Sequence, residues 1–277
     1  MKTVLTRLLV SLVVLLIALV PSLAAAQIRI VIDPGHGGSD PGGVGTGMQE
    51  KTIVLNVAQR FKALLDADTA DTSGGGRWVA LLTRNTDTFV SLAARAAFSN
   101  NQDADRFMSI HANAFADASA HGTETFAFSE SGQGAALRNL VQSEMIAAWG
   151  LTNRGNKTAN FAVLRDTAAP AVLHELAFIT NATDAAKLGS ATERQKAAVA
   201  HLRAIQRHFG ITPFVPSAFA STAGPGDTTD SGGDGPQDVG DPDPGSDGGC
   251  STASGTSGAF AAFALLGFAS IARRRRR

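Results

Sequence analysis

With one cysteine in 277 residues, Cys250, the chain cannot close an internal disulfide. Its fold must be held by a hydrophobic core, with or without a metal. An excess of charge is also missing. Lys+Arg and Asp+Glu both number 24, so no overall field draws in nucleic acid or a membrane surface, and nucleic acid is not expected as a partner. No internal repeat is visible, which excludes a solenoid. The two long apolar runs, Leu8–Val20 and Ala259–Ala272, are both shorter than the ~20 residues of an ordinary membrane span. The glycine-rich stretch Gly35–Gly47 is not followed by Gly-Lys-Ser/Thr and does not fit the dinucleotide fingerprint. Nucleotide binding is excluded on that ground.

What is present divides the chain into four parts. Lys2 and Arg7 precede the apolar run Leu8–Val20, and Ala24-Ala25-Ala26 follows it. This is the layout of a secretory signal over residues 1–26, with a mature chain starting near Gln27; the alternative is a retained anchor. Residues 27–211 carry regular hydrophobic patterning. Residues 212–249 form a linker whose later part, 221–249, has no large apolar residue except Val239. Such a stretch cannot offset its ordering entropy by burial. Residues 250–277 hold Cys250, the second apolar run and five arginines, Arg273–Arg277.

Within 27–211 the β-branched run Ile28–Ile32 reads as a buried strand ended by Asp33-Pro34-Gly35. A helix begins near Glu50, with Val54, Val57, Phe61 and Leu64 on one face. Trp78–Leu82, Arg106–Ile110, Phe161–Leu164 and Ala171–Ala177 read as strands, and Thr123–Phe128 alternates like a half-exposed one. Phe89–Asn100 and Ala135–Trp149 read as helices. A last helix opens with Ser190 and Glu193 in capping-box spacing and buries Ala198, Leu202, Ile205 and Phe209. Strands alternating with helices imply a single α/β domain with a mainly parallel sheet flanked by helices on both faces.

The residues that carry chemistry sit at predicted strand ends. His36 follows the first strand, His111 ends the strand from Arg106, Glu50 opens a helix after the glycine loop, and Glu175 lies near the end of Ala171–Ala177. In parallel sheets, sites gather outside the carboxyl ends of strands. Two imidazoles and a carboxylate form a common catalytic zinc set that leaves a fourth position open. Glu175 is placed to act as general acid and base. Glu50 is also a helix N-terminal acid favoured by the macrodipole, a role compatible with ligation. The glycines let the backbone bend around a metal and stay low beside a bulky polymer. His174, next to Glu175 on a strand, points to the other face and reads as a packed histidine. His121 is a candidate groove residue. Asn113 either shapes the groove or braces its loop, and Arg84 and Arg95 read as structural ion pairs. His201 and His208 fall away from the last helix's apolar face and read as solvated.

Several segments, in order, resemble the zinc-dependent type 3 N-acetylmuramoyl-L-alanine amidases. They are the DPGHGG loop at Asp33–Gly38 with Glu50, Leu82-Thr83-Arg84 with Asp87, Leu92 with Arg95, SIHANA at Ser109–Ala114, Asn153-Arg154-Gly155, Phe161-Ala162-Val163-Leu164, and Pro170–Asn181. The resemblance covers roughly Ile28–Gly210. It implies a six-stranded sheet, zinc held by His36, Glu50 and His111, and a catalytic Glu175. It also implies hydrolysis of the amide between the lactyl group of N-acetylmuramic acid and L-alanine of the peptidoglycan stem, in wall remodelling, daughter-cell separation or lysis. The chain departs from the pattern at His174, where an aliphatic residue is expected, and at Ala177, where glycine is. No long insertion separates His111 from Glu175, whereas some relatives carry a blocking helix there. This implies an enzyme that is constitutively open or controlled by location. Two other readings stand beside it. A wall-binding module without catalysis would lack a ligand or Glu175, and neither is missing here. A zinc peptidase or sugar deacetylase differs in its products.

Gly248-Gly249-Cys250-Ser251, the apolar run and the terminal arginines resemble the tripartite C-terminal tags of myxobacterial surface proteins. That resemblance implies processing near Cys250, with transient or permanent membrane insertion of the segment. The expected protein is an exported monomer in the periplasm or at the cell surface, with peptidoglycan as its partner and the acidic linker as a tether. A permanent tail anchor is the alternative.

Overall fold

In the computed structural model, residues 26–71, 73 and 75–222 are described. The signal, most of the linker and the C-terminal tag lie outside them.

The first strand, β1 (Ile28–Pro34), is the β-branched run read from the sequence. It is followed by a two-strand ribbon, β2 (Val44–Gly45) and β3 (Met48–Gln49), and by α1 (Glu50–Ala70). Then come β4 (Trp78–Leu82), α2 (Leu92–Asn101), β5 (Arg106–Asn113) and β6 (Thr123–Ala127). The rest is α3 (Gly132–Trp149), β7 (Asn153–Thr158), α4 (Ala162–Arg165), β8 (Ala171–Phe178), α5 (Ala182–Gly189) and α6 (Ala191–His208). The main sheet has six strands in the order β4-β1-β5-β8-β6-β7. Every neighbouring pair is parallel except β6 with β8.

Alternation along the strands splits the interior into two layers. Ile30, Ile32, Met108, Ile110, Val172 and Leu176 face one way and pack against α1, α3 and α6. Phe61, Leu64, Leu137 and Leu202 are fully buried there. Val31, Phe107, Ala171 and Leu173 face the other way, against Phe98 of α2 and Val163 and Leu164 of α4. This second cover is small. It lies over the early part of the strands and stops before His111 and Glu175, which point out of the same face four residues beyond Phe107 and two beyond Leu173.

Local signals fix the helix starts. Ser91 accepts from the Ala94 N–H and Ser190 from the Glu193 N–H, so each caps a helix by satisfying an orphan donor. The first cap starts α2 at Leu92 rather than at Phe89. Phe161–Leu164 was expected as a strand and is instead the entry to α4, with Leu164 and Arg165 N–H groups donating to the Phe161 carbonyl. Four apolar residues are too few for periodicity to separate helix from strand. Thr123–Phe128 is expected half-exposed, yet in the strand Thr123–Ala127 Thr123, Glu124 and Thr125 are buried, because their polar groups find partners inside. β7 and α5 were not anticipated; β7, Asn-Arg-Gly-Asn-Lys-Thr, contains no apolar residue to signal a strand.

The two helix histidines also differ from expectation. His201 is 1% exposed and His208 is half-buried, its Nε2 2.6 Å from Arg106 Nε. His201 is housed by a second polar partner rather than by water: its Nε2 lies 3.0 Å from His174 Nδ1, so His174 is packed as expected. Packing continues past Ile211, where Gln206 exchanges hydrogen bonds with Phe214 and Val215 is buried. Among the described residues no helix is long and apolar enough to cross a membrane.

Candidate functional site

Glu50 is the hub. It is the first residue of α1 and is buried. Its Oε1 lies 3.0 Å from His36 Nε2 and 2.9 Å from His111 Nδ1. The same oxygen accepts from the Ala112 N–H, and Oε2 accepts from the Gly43 N–H at 2.7 Å. The His36 and His111 rings stand edge-on, 4.9 Å apart. One ligand atom from each of the three side chains falls within 4.8 Å of the others. Burial opposes charge on Glu50, but hydrogen bonds from His111 and His36 hold its carboxyl well below the usual range. Burial also opposes charge on His111, yet Glu50 lifts its imidazole to about 9. His36 is likewise raised by Glu50 against its own burial. Two imidazoles therefore share one carboxylate. This donor set of two nitrogens and one oxygen, gathered around one point, fits a divalent metal.

The backbone that presents His36 is forced into shape. His36 has φ 57°, in the left-handed region that non-glycine residues seldom enter. Two buried arginines hold it there. Arg95 pairs with Asp33 at 2.7 Å and donates to the Pro34 and His36 carbonyls. Arg84 donates to the carbonyls of Pro34, Gly35, Lys51 and Thr86. Arg95 is thus the structural ion pair expected, whereas Arg84 is a carbonyl brace. Asp33 is completed by Thr83 and Ser109 hydroxyls at 2.6 and 2.7 Å. The DPGH turn is consequently stitched to β4, α2 and β5. Gly35 has to be glycine, because a Cβ would stand 2.3 Å from His111 Cε1. At Gly42 it would stand 2.5 Å from Glu50 Oε2. His36 Nδ1 lies 2.9 Å from Asp40, a partner that the sequence reading missed.

Glu175 is in register with His111 on the neighbouring strand, and Glu124 is in register with Glu175 on the next. All three project from the same, thinly covered face. Burial pushes Glu175 up to about 7, with His111 pulling the other way. Among the described residues its Oε2 has no hydrogen-bond partner and is buried. An orphaned carboxylate oxygen next to a metal-type cluster is unusual. Asn113 braces the row, its Nδ2 donating to Glu124 Oε1 at 2.8 Å. His121 is exposed on the loop before β6, with its carbonyl 3.4 Å from Arg154. His174 is behind the sheet, its Nε2 2.9 Å from the Thr123 hydroxyl.

An open α/β sheet with a His-Glu-His cluster and a poised carboxylate at its strand ends has the form of a metal-dependent hydrolase. The comparisons define the family. Residues 30–207 match the N-acetylmuramoyl-L-alanine amidase family model, and the chain belongs to that family. It is 38% identical over 186 residues to the sporulation-specific N-acetylmuramoyl-L-alanine amidase of Bacillus subtilis, covering 67% of this chain and 69% of that one. It is 31% identical over 226 residues to the amidase AmiA of Escherichia coli, covering 65% of this chain and 75% of that one. Its fold matches the catalytic domain of CwlV, an N-acetylmuramoyl-L-alanine amidase from Bacillus (Paenibacillus) polymyxa, with TM-score 0.61 and 32% identity. That match covers 67% of this chain and all of that domain.

Proposed function

We propose that the protein hydrolyses the amide between the lactyl group of N-acetylmuramic acid and L-alanine of peptidoglycan, using zinc held by His36, Glu50 and His111 and a proton carried by Glu175. Membership of the amidase family makes it a hydrolase of cell-wall type. The observation that supports the mechanism best is the buried, unpartnered Oε2 of Glu175 in register with His111. Zinc at the cluster would supply a Lewis acid that polarises the scissile carbonyl and eases deprotonation of water. The protein's own groups do the rest. Glu175, its carboxyl raised towards neutrality, takes the proton of the attacking water and returns it to the leaving amine. Glu50 and the two histidines stay fixed because the arginine-stitched turn and the Gly43 and Ala112 N–H groups hold them. The thin cover of the sheet leaves room for a bulky polymer.

The test is mass spectrometry of a peptidoglycan digest, with metal analysis of the protein. Intact glycan strands bearing free lactyl groups, and peptides beginning with L-Ala, are the expected products. New reducing sugar ends point to the wrong bond. His111→Ala should lose metal and activity together; a full complement of zinc in that variant refutes the ligand set.

We further infer, from sequence alone, an exported monomer acting at the cell envelope. Residues 1–26 are removed, the acidic linker serves as a tether, and residues 250–277 act as a sorting tag processed near Cys250. Intact mass and fractionation of wild type against Cys250→Ala test this. A mature protein that retains Arg273–Arg277, with Cys250→Ala fractionating identically, leaves a simple tail anchor.

A further inference from the structure

We infer that Arg154 and Lys157 form a carboxylate-binding subsite that grips an acidic group of the stem peptide beside Glu175. The inference rests on the amidase reading and adds which part of the substrate is recognised and by what.

Both cations rise from β7, the strand next to β6. Arg154 Nε donates to Glu124 Oε2 at 2.9 Å, and Lys157 Nζ pairs with the same oxygen. Glu124 Oε1 is already taken by Asn113. Burial works against charge on Glu124, but Lys157 and Arg154 keep its carboxyl below the usual range. One anion thus faces two cations, and the group carries a surplus positive charge. The cations are not buried with their partner: the Arg154 and Lys157 side chains are 33% and 37% exposed, against 6% for Glu124. Arg154 meets Glu124 side-on. Its guanidinium lies over the Phe178 ring at 4.7 Å, and one terminal nitrogen reaches the His121 carbonyl at 3.4 Å. The other terminal nitrogen donates to no group among the described residues. A guanidinium resting over an aromatic ring, with one prong free, is prepared for a carboxylate.

Direction follows from the reaction. The proton from Glu175 goes to the leaving amine, so the peptide lies on the Glu175 side of the cleaved bond, away from His36. Continuing the row His111, Glu175, Glu124 leads to β7. The Arg154 and Lys157 head groups reach back to Glu124 on β6, one strand spacing of ~5 Å from β8, and an extended peptide crosses that distance in about two residues. The acidic residue that follows L-alanine in the stem falls within this reach. Glu124 therefore orients the cations and takes no part in proton transfer.

The experiment uses the full chain and glycan–peptide fragments in two forms, with the α-carboxyl of the acidic second residue free or converted to its primary amide. Wild type should cleave the free acid with a kcat/KM at least about tenfold higher, the worth of one charge-assisted hydrogen bond. In Lys157→Met, which leaves Glu124 with Arg154 and Asn113, that preference should collapse to within about twofold of unity, and Arg154→Gln should collapse it too. Lys157→Arg should restore it. A wild type that cleaves both forms equally, or a Lys157→Met variant that keeps the full preference, overturns the subsite while leaving the amidase reading intact. A wild type that releases no L-Ala-terminated peptide from either form removes the amidase reading and the subsite with it.

Discussion

At the scale of single residues, chemistry and packing make separable demands. Glu175→Gln keeps the shape of the side chain but cannot accept a proton. Turnover should drop about 10²–10⁴-fold while metal content and melting temperature stay near wild type; stopped assays with metal analysis decide it. Gly35→Ala makes the opposite kind of change. It alters no ionisable group, yet its methyl would stand 2.3 Å from His111, so the ring must swing away from Glu50. Metal affinity and activity should fall together, with secondary structure by circular dichroism unchanged; normal metal content in this variant would show that the turn can yield. The convergence of His36, Glu50 and His111 was legible in the sequence because His36 follows a strand, Glu50 opens a helix and His111 lies late in another strand. Asp40 and Glu124 were not. Glu124 takes its partners, Asn113, Arg154 and Lys157, from 11 to 33 residues away, and nothing local marks such a pairing; Asp40 is four residues from His36, but only the folded course of the turn brings the two side chains together.

At the scale of elements, the apolar strands were easy to read and the polar ones were not. Ile28–Ile32 and Trp78–Leu82 announce themselves by apolar runs. β7 has none, and its place is set by hydrogen bonding to β6 rather than by burial of side chains. α4 was read as a strand because four residues do not carry a period. The turn between β1 and α1 depends on an element far along the chain, since Arg95 of α2 neutralises buried Asp33. Arg95→Met leaves that carboxylate uncompensated in the interior, at a cost of about 3–5 kcal/mol. It also frees the His36 carbonyl and leaves that of Pro34 to Arg84 alone. Urea denaturation should show the stability loss. Activity should fall further than stability alone accounts for, as the left-handed conformation of His36 relaxes.

At the scale of the whole molecule, the His174–His201 pair makes the fold sensitive to acid. Burial pushes His201 down to about 4, and burial together with His201 holds His174 well below the ordinary value of 6.5. The His201 Nδ1, 2.7 Å from the Ala197 carbonyl, donates to it. Its Nε2 then accepts from His174 Nδ1, so the pair is arranged as two neutral rings. The unfolded chain takes up protons near 6.5 and the folded one does not. Stability is therefore whole above pH 6.5 and is lost as the pH falls towards 4, by on the order of 3 kcal/mol for His201 alone. Urea midpoints measured from pH 7 to pH 4 should decline along that window, and His201→Met should flatten the slope; an unchanged slope would place the acid-labile groups elsewhere. The sequence showed two histidines on a helix but not that a third, on β8, would meet one of them inside.

The polar character of β7 has a further consequence. An open sheet offers the backbone of its last strand to any passing chain. Here that rim bears Arg154 and Lys157. Gly155, at φ 93°, and the register shift against β6 between Thr123 and Thr125 make it irregular. A second copy cannot lay a straight strand along it without burying two cations. This border of the sheet is thus a poor template for an added strand, and the side chains that would greet a substrate are the ones that make it so.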